Sequence, residues 1–166
     1  MNENLNFMNS YKYHPTTKEE LQELIKQRIK EEGNEVDLND IDVSNITEMY
    51  GLLSGFDEFN GNISKWDVSN VTNMSWMFGG CENFNGDISN WNVSKFTSMK
   101  GMFYRCKKFN QDISGWDVSN VTDMIFMFNR CKNFNQDISG WNVSKVTNMK
   151  NMFNGCSIEN KHYPKF

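Results

Sequence analysis

Apolar and polar positions recur along most of this chain with a fixed period of 25 residues. The clearest unit is Trp66–Asn90. Four further units share its pattern: a weaker Ile41–Lys65, then Trp91–Gly115, Trp116–Gly140 and the shortened Trp141–Asn160. A period of this length is typical of proteins in which each unit buries its apolar face only by stacking on a neighbour. The pattern therefore predicts a solenoid.

Two spacings of apolar residues alternate within each unit. Segment 88–93 has the I-x-x-W-x-V spacing of a short strand, whereas the apolar residues of segment 99–106 fall at i, i+3, i+4 and i+7, on one helical face. Thr97 stands just before that face, where an N-cap hydroxyl is expected. We therefore expect an α/β solenoid, a leucine-rich-repeat-like stack of short parallel strands and short helices.

The chain before and after the repeats divides into further segments. Residues 1–14 are a predicted flexible tail, residues 15–35 a cap helix, residues 36–160 the repeat solenoid of about five 25-residue units, and residues 161–166 a C-terminal tail. A solenoid needs an amphipathic cap because its first unit otherwise exposes bare core.

Capping residues at both ends support the predicted cap helix. Thr16 or Thr17 can cap its start, Glu20 stands three residues after Thr17 as in a capping box, and Gly33 follows its end. A helix that docks a partner is the alternative interpretation of the same segment.

Charge and composition exclude several classes of function. The net charge of −4 argues against a general nucleic-acid binder, which needs a basic stripe to displace counterions from phosphates. The first residues have neither a basic nor an apolar signal region, and no run reaches transmembrane length, so we expect no membrane partner. A cytoplasmic protein is the expectation from the chain as written, with a surface-exposed or secreted protein as the alternative.

The sequence contains few candidate groups for catalysis or metal binding. Cys81, Cys106, Cys131 and Cys156 occupy the same position, here called a slot, of four successive units. This predicts a ladder, that is, a stack of equivalent side chains, made of buried thiols. No C-x-x-C pair is present, so no zinc site is predicted. The two histidines, His14 and His162, stand near opposite ends of the chain, so a serine–histidine pair is not expected. We expect no enzyme, no cofactor and no resident metal.

Acidic and amide side chains form further ladders. Asp87, Asp112 and Asp137 share one slot, for which an Asx-turn is the favoured interpretation and a bound calcium ion the alternative. The asparagines that share the slot of Asn85 are expected to bond to the backbone of neighbouring units.

The repeat unit also resembles a known family. Its pattern is W-[DN]-V-S-[NK]-[VF]-T-x-M-x-x-M-F-x-x-C-x-x-F-N-x-D-I-S, and it is similar, over roughly residues 36–160, to the 25-residue repeat of BspA-like leucine-rich-repeat proteins, also described as a mycoplasma lipoprotein repeat of unknown function. The resemblance implies a leucine-rich-repeat fold without assigned catalytic residues. It also implies a surface role, since members are commonly bacterial surface proteins implicated in adhesion.

Positions that break the repeat carry the candidate binding surface. The slot two residues after the first methionine of segment 99–106 points outward from the predicted helix, and it holds Trp76 and Phe126 in two units. Exposed aromatic residues beside arginines are typical of protein-binding hot spots. The predicted protein-binding residues are Tyr50, Trp76, Tyr104, Arg105, Ile125, Phe126 and Arg130. Neutral surface decoration, or packing under the tail, is the alternative.

These observations predict a non-catalytic protein–protein interaction module. It acts either as a small intracellular binder or inhibitor of a host or phage protein, or as a surface module of the adhesion type. A homodimer through the open C-terminal end is a further possibility if Ile158, Tyr163 and Phe166 leave the last unit uncovered.

Overall fold

The computed structural model describes residues 11–165. Most of the predicted tail, residues 1–10, and the terminal Phe166 lie outside the described residues. Helix α1 spans Lys18–Glu32, and a short 3-10 helix spans Asn160–His162. Between them the chain winds through five stacked turns of the repeat, here called coils 1 to 5, which begin at Ile41, Trp66, Trp91, Trp116 and Trp141.

The prediction of an α/β solenoid is wrong. Within residues 11–165 the structure contains one α-helix, one 3-10 helix and no extended strand, and neighbouring coils share only isolated parallel β-bridges such as Asn73–Ser98 and Ser98–Asp123. Segment 99–106, which was expected to be helical, is a run of turns. Gly101 and Arg105 have left-handed backbone with φ of 59° and 61°, and a right-handed helix does not accommodate such residues.

Hydrogen bonding explains why this segment is not a helix. Met102 N–H donates to the Met99 carbonyl of its own turn at 3.2 Å, whereas Gly101 N–H donates to the Ile125 carbonyl of the next coil at 2.8 Å. An α-helix requires each N–H to donate to the carbonyl four residues earlier. Alternate donors here leave the coil instead, so the helical spacing in the sequence marks inward-facing slots and not a helix.

Bonds between residues 24 apart hold the coils in register. At the junction of coils 3 and 4, Gly101, Phe103 and Arg105 donate their N–H groups to carbonyls 24 residues later, at 2.8 to 3.0 Å. Equivalent bonds occur at the other junctions, for example Leu53 N–H to the Met77 carbonyl at 2.9 Å. All these donors point toward the C-terminal end of the stack and all the acceptors toward its N-terminal end.

Helix α1 covers the acceptor end of coil 1. Gln22 donates its side-chain amide to the Leu52 carbonyl at 2.9 Å, and the Lys18 ammonium donates to the Tyr50 carbonyl at 3.2 Å. These carbonyls are equivalent to ones that accept from a preceding coil elsewhere in the stack. Leu21 and Ile25 are fully buried against the coils. The helix therefore supplies both the apolar cover and the donors that the first coil lacks.

Buried tryptophans connect each coil to the previous one. The indole N–H of Trp116 donates to the Ile88 carbonyl, 28 residues earlier, at 3.2 Å, and Trp66, Trp91 and Trp141 repeat this bond. Cys106 donates its thiol to the Phe78 carbonyl at 3.1 Å, as Cys81 and Cys131 do one coil away on either side. Burial raises the pKa of the Cys81 thiol to about 12. Three thiols of the predicted cysteine ladder are therefore part of the core, and the fourth, Cys156, is half-buried at the last coil.

Ladders of polar side chains accept hydrogen bonds from backbone N–H groups in the exposed turns. The Asn85 side-chain oxygen accepts from the Asn110 N–H at 2.8 Å, and Asn110 does the same for Asn135 at 3.0 Å, as predicted. Asp87 accepts from both the N–H and the hydroxyl of Ser89, at 3.0 and 2.7 Å, which confirms the Asx-turn. Within residues 11–165, no group of three or more His, Cys, Asp or Glu side chains is placed to hold a metal ion.

The two ends of the chain have further observed contacts. Tyr13 forms a parallel bridge with Ile41, which places this part of the predicted N-terminal tail beside coil 1. At the other end, Ile158 is buried and the Tyr163 ring stacks on Phe153 with centroids 4.4 Å apart. None of the described helices is long and apolar enough to span a bilayer.

Substitutions at Trp116 test the connection between coils. Trp116→Ala should lower the free energy of unfolding by about 3–5 kcal/mol, because it leaves a large cavity. Trp116→Phe keeps an aromatic ring but leaves the buried Ile88 carbonyl without its donor. This variant should lower the free energy of unfolding by about 1–3 kcal/mol. Urea denaturation measures both, and wild-type stability in either variant would place this indole outside the core.

The Asx-turns predict an acid dependence of stability. Hydrogen bonds from the Ser89 hydroxyl and N–H lower the pKa of Asp87 below its ordinary value. A carboxyl whose folded pKa is depressed stabilises the fold above the unfolded pKa, and that stability is lost as pH falls through the folded pKa. The free energy of unfolding should therefore fall as pH drops below about 4, the range in which unfolded Asp titrates.

A matched pair of serine variants isolates this effect. Ser89→Ala should reduce the acid-dependent part of the stability, whereas Ser94→Ala removes a hydroxyl that bonds to the uncharged Asn92 amide oxygen and should leave the pH profile unchanged in shape. Chemical denaturation between pH 2 and 7 provides the profiles. Identical profiles for the two variants would contradict the assignment.

Candidate functional site

A groove of about 910 Å³ runs over the surface of coils 2 to 5, on the outer side of the turn segments. We call it the aromatic groove. Its lining residues come from all four coils: Trp76, Glu82, Tyr104, Arg105, Lys107, Phe126, Asn129, Arg130, Lys132, Asn151, Asn154 and Gly155.

Left-handed backbone is concentrated in this groove. Among the described residues, the non-glycine residues with positive φ are Trp76, Arg105, Phe126, Arg130 and Asn151, with φ between 58° and 62°. All of them line the groove. A left-handed conformation costs a residue with a side chain roughly 1–2 kcal/mol.

Glycine occupies the same slots in the other coils. Gly51 and Gly101 stand where coils 2 and 4 carry Trp76 and Phe126, and they share the left-handed backbone. Gly55, Gly80 and Gly155 likewise occupy the slot of Arg105 and Arg130. The fold therefore needs a left-handed residue at two positions of each coil, and the groove is where large side chains replace the glycine that would fit without strain.

The aromatic side chains form a continuous row across coils 2 to 4. The Trp76 and Tyr104 ring centroids are 5.3 Å apart at 65°, and those of Tyr104 and Phe126 are 6.3 Å apart at 72°. Gly101 makes this row possible, because a Cβ atom there would lie 2.6 Å from the Trp76 indole. Edge-to-face contacts of this kind stabilise aromatic pairs beyond their burial, so the row is held in a defined arrangement before any ligand binds.

Cationic side chains lie beside the aromatic row. The Arg105 guanidinium carbon is 5.3 Å from the centroid of the Tyr104 ring. Arg105, Arg130, Lys107 and Lys132 are all exposed. The lining contains a single carboxylate, Glu82, whose Oε2 lies 2.6 Å from Lys107 Nζ. The groove is therefore basic in a protein whose net charge is −4.

Five of the seven predicted binding residues meet in this groove: Trp76, Tyr104, Arg105, Phe126 and Arg130. Ile125 is half-buried beside it, and its N–H donates to the Asp123 carboxylate at 2.9 Å. Tyr50 is 50% exposed but lies on coil 1 under α1, with Lys18 Nζ 6.0 Å from its ring centroid. Neither Ile125 nor Tyr50 is part of the groove lining.

The predicted set left out seven residues of the groove lining: Glu82, Lys107, Asn129, Lys132, Asn151, Asn154 and Gly155. Two signals could have found part of this set. The slot of Glu82 changes from acidic residues in coils 1 and 2, Asp57 and Glu82, to Lys107 and Lys132 in coils 3 and 4. Alternation of glycine with large residues in one slot, as at Gly155 and Arg130, indicates left-handed backbone.

The lining lacks the usual parts of a hydrolytic site. It contains no histidine, cysteine, serine or threonine, and its one carboxylate is paired with a lysine. A serine–histidine or cysteine–histidine arrangement requires such groups within hydrogen-bond reach of one another. The groove offers a ligand aromatic contact, cationic side chains and the amides of three asparagines.

Glycine and alanine variants at Arg105 measure the strain in the groove. Both remove the same side chain, but only Arg105→Gly removes the penalty of a left-handed residue that carries a Cβ atom. Arg105→Gly should therefore unfold with a free energy about 1 kcal/mol higher than Arg105→Ala. Equal stabilities in urea denaturation would contradict the left-handed assignment.

Comparisons with known proteins assign a family and leave its role open. Neither the curated proteins nor the solved structures gave a significant match. The profile of one family matches residues 19–124 and again residues 89–166, which together include every coil and all of α1 except Lys18. The chain therefore belongs to the family described as mycoplasma protein of unknown function, DUF285.

Proposed function

We propose that this protein is a non-catalytic interaction module that binds another protein through the aromatic groove. The main support for this proposal is that the residues with strained, left-handed backbone all lie in the groove. Each non-glycine residue with left-handed backbone in the described chain lines one groove, although glycine occupies the same slots elsewhere. Strained residues persist where they serve a function, because selection for stability alone would favour glycine there.

The composition of the groove favours a protein partner. Tryptophan, tyrosine and arginine are the residues most enriched at binding hot spots, and Trp76, Tyr104 and Arg105 lie together here. Single-stranded nucleic acids instead stack successive bases on open ring faces. Neighbouring rings in this groove meet at 65° and 72°, so they do not form a parallel platform for bases.

Rigidity supports a role as a binder or inhibitor. The groove is built on coils that are joined by backbone hydrogen bonds of 2.7 to 3.4 Å at every junction. A site that is already ordered loses less conformational entropy on binding, so it can hold a partner tightly with a modest surface. Occupation of a partner's surface is then sufficient to block other contacts of that partner.

A surface module of the adhesion type is the second candidate, and the repeat's resemblance to BspA-like proteins favours it. The same groove would then bind a protein outside the cell. Cell fractionation with an antibody against the protein separates the two candidates, because the first predicts the protein in the cytosolic fraction and the second at the cell surface.

An affinity capture from native cells tests the groove itself. Trp76→Gly/Phe126→Gly replaces both residues with the one that coils 1 and 3 carry in this slot. Relief of the left-handed strain offsets the lost edge-to-face contacts, so the melting temperature should change little. We expect wild type to capture a specific partner and the double variant to lose it. Tyr50→Ala is the control, since it removes an exposed aromatic ring outside the groove. Retention of the partner by the double variant would move the interface elsewhere.

A further inference from the structure

We infer that the aromatic groove recognises an acidic segment of its partner, in which apolar residues separate the carboxylates. The inference rests on the proposed function, because it names the chemistry of the segment that the groove would hold. It follows from the distribution of charge over the coils and from the geometry of the groove.

The first step is a reversal of charge within a single slot. Asp57 and Glu82 occupy it in coils 1 and 2, and Lys107 and Lys132 in coils 3 and 4. The neighbouring slot changes in the same place, from Gly55 and Gly80 to Arg105 and Arg130. Cations are therefore gathered over coils 3 and 4, in a chain whose net charge of −4 makes this surface an exception.

The second step is that three of these cations lack an internal counterion. Lys107 is paired with Glu82 at 2.6 Å. Arg105, Arg130 and Lys132 have no carboxylate within 4.0 Å among residues 11–165. Two of them, Arg105 and Arg130, also occupy left-handed positions. Retaining an unpaired, strained arginine where glycine fits indicates that its charge is used by a ligand.

The third step concerns spacing. Neighbouring coils are about 4.8 Å apart, as parallel hydrogen-bonded chains are, so Arg105 and Arg130 present two guanidinium forks one coil apart. Side chains on the same face of an extended peptide are roughly 6.6–7 Å apart. Arginine side chains are long enough to bridge this difference, and each fork can bind a carboxylate through two hydrogen bonds.

The aromatic row completes the match to an alternating segment. The Arg105 guanidinium lies against the Tyr104 ring, with its carbon 5.3 Å from the ring centroid, so a segment whose carboxylates bind the arginines passes close to the aromatic row. Apolar residues that flank each carboxylate along the segment can then contact Trp76, Tyr104 and Phe126. Asn154 lines the same groove, and its amide can bond to the backbone of an extended peptide, whose polar groups are not satisfied internally.

A peptide titration tests the inference. The probe is a fluorescein-labelled peptide with alternating glutamate and leucine, compared with a peptide of the same length in which glutamine replaces glutamate. Fluorescence anisotropy should show binding of the glutamate peptide to wild type that weakens as salt is added, and at least tenfold weaker binding of the glutamine peptide, equivalent to about 1.4 kcal/mol.

Two variants that remove the same charge test whether the peptide binds in the groove. Arg105→Gln/Arg130→Gln should weaken the glutamate peptide at least tenfold. Lys95→Gln/Lys145→Gln removes the same charge from exposed lysines that bond to Asn70 and Asn120, outside the groove, and should bind like wild type. Melting curves of both variants check that each is folded.

Each contrary result overturns the inference in a recognisable way. Equal losses in the two variants would mean binding through net charge alone, and equal binding of the two peptides would mean no recognition of carboxylates. No binding at millimolar peptide would exclude an acidic ligand, and tighter binding of an oligothymidylate would assign the groove to nucleic acid. Loss of the native partner from the Trp76→Gly/Phe126→Gly variant would still support the proposed function in the first three cases.

Discussion

The structure depends on one constraint on its backbone: alternate N–H groups in the outer segment of each coil must donate to the next coil. Arg105 N–H reaches the Asn129 carbonyl in this way, while Tyr104 N–H returns to Gly101 in its own turn. Such alternation places two left-handed residues in the segment, because a continuous right-handed turn would return every donor to its own coil. The fixed repeat length follows, since an inserted residue would shift every donor away from its acceptor.

This constraint also determines where function can be placed. The inner slots are occupied by the Trp, Cys and Phe ladders, whose donors and rings connect neighbouring coils. The outer left-handed slots lie at the surface, where Trp76 and Phe126 are half-buried and Arg105 and Arg130 are exposed, and glycine would adopt their backbone at the lowest energy. A large residue there adds strain and lies outside the core ladders, which supports a role in binding for Trp76, Phe126, Arg105 and Arg130.

Sequence reasoning recovered the features that depend on repetition. The period, the inward slots and the Asn and Asp ladders were predicted because each is a local pattern seen several times. Helix α1 occurs once, and its capping residues predicted it. The secondary structure was not, since apolar residues at i, i+3, i+4 and i+7 fit both a helix and this run of turns. Gly51 and Gly101 in the middle of the predicted helices were the contrary signal, because glycine disfavours a helix interior.

The candidate site was predictable only in part for the same reason. Trp76 and Phe126 stood out because they break a slot, and Arg105 and Arg130 because they lie close to them in sequence. Tyr50 breaks a slot as well, but α1 lies beside it, a contact between residues 32 apart that no local pattern reveals. Asn154 joins the groove only through the stacking of coils.

Backbone NMR of residues 99–106 and 124–131 is the most direct test of this account. Chemical shifts and three-bond couplings report φ at Arg105, Phe126 and Arg130, and a coupling across the hydrogen bond reports donation from Arg105 N–H to the Asn129 carbonyl. The account predicts positive φ at all three residues and a bond between coils. Continuous helical shifts through either segment would contradict the run of turns, and with it the argument that strain marks the groove.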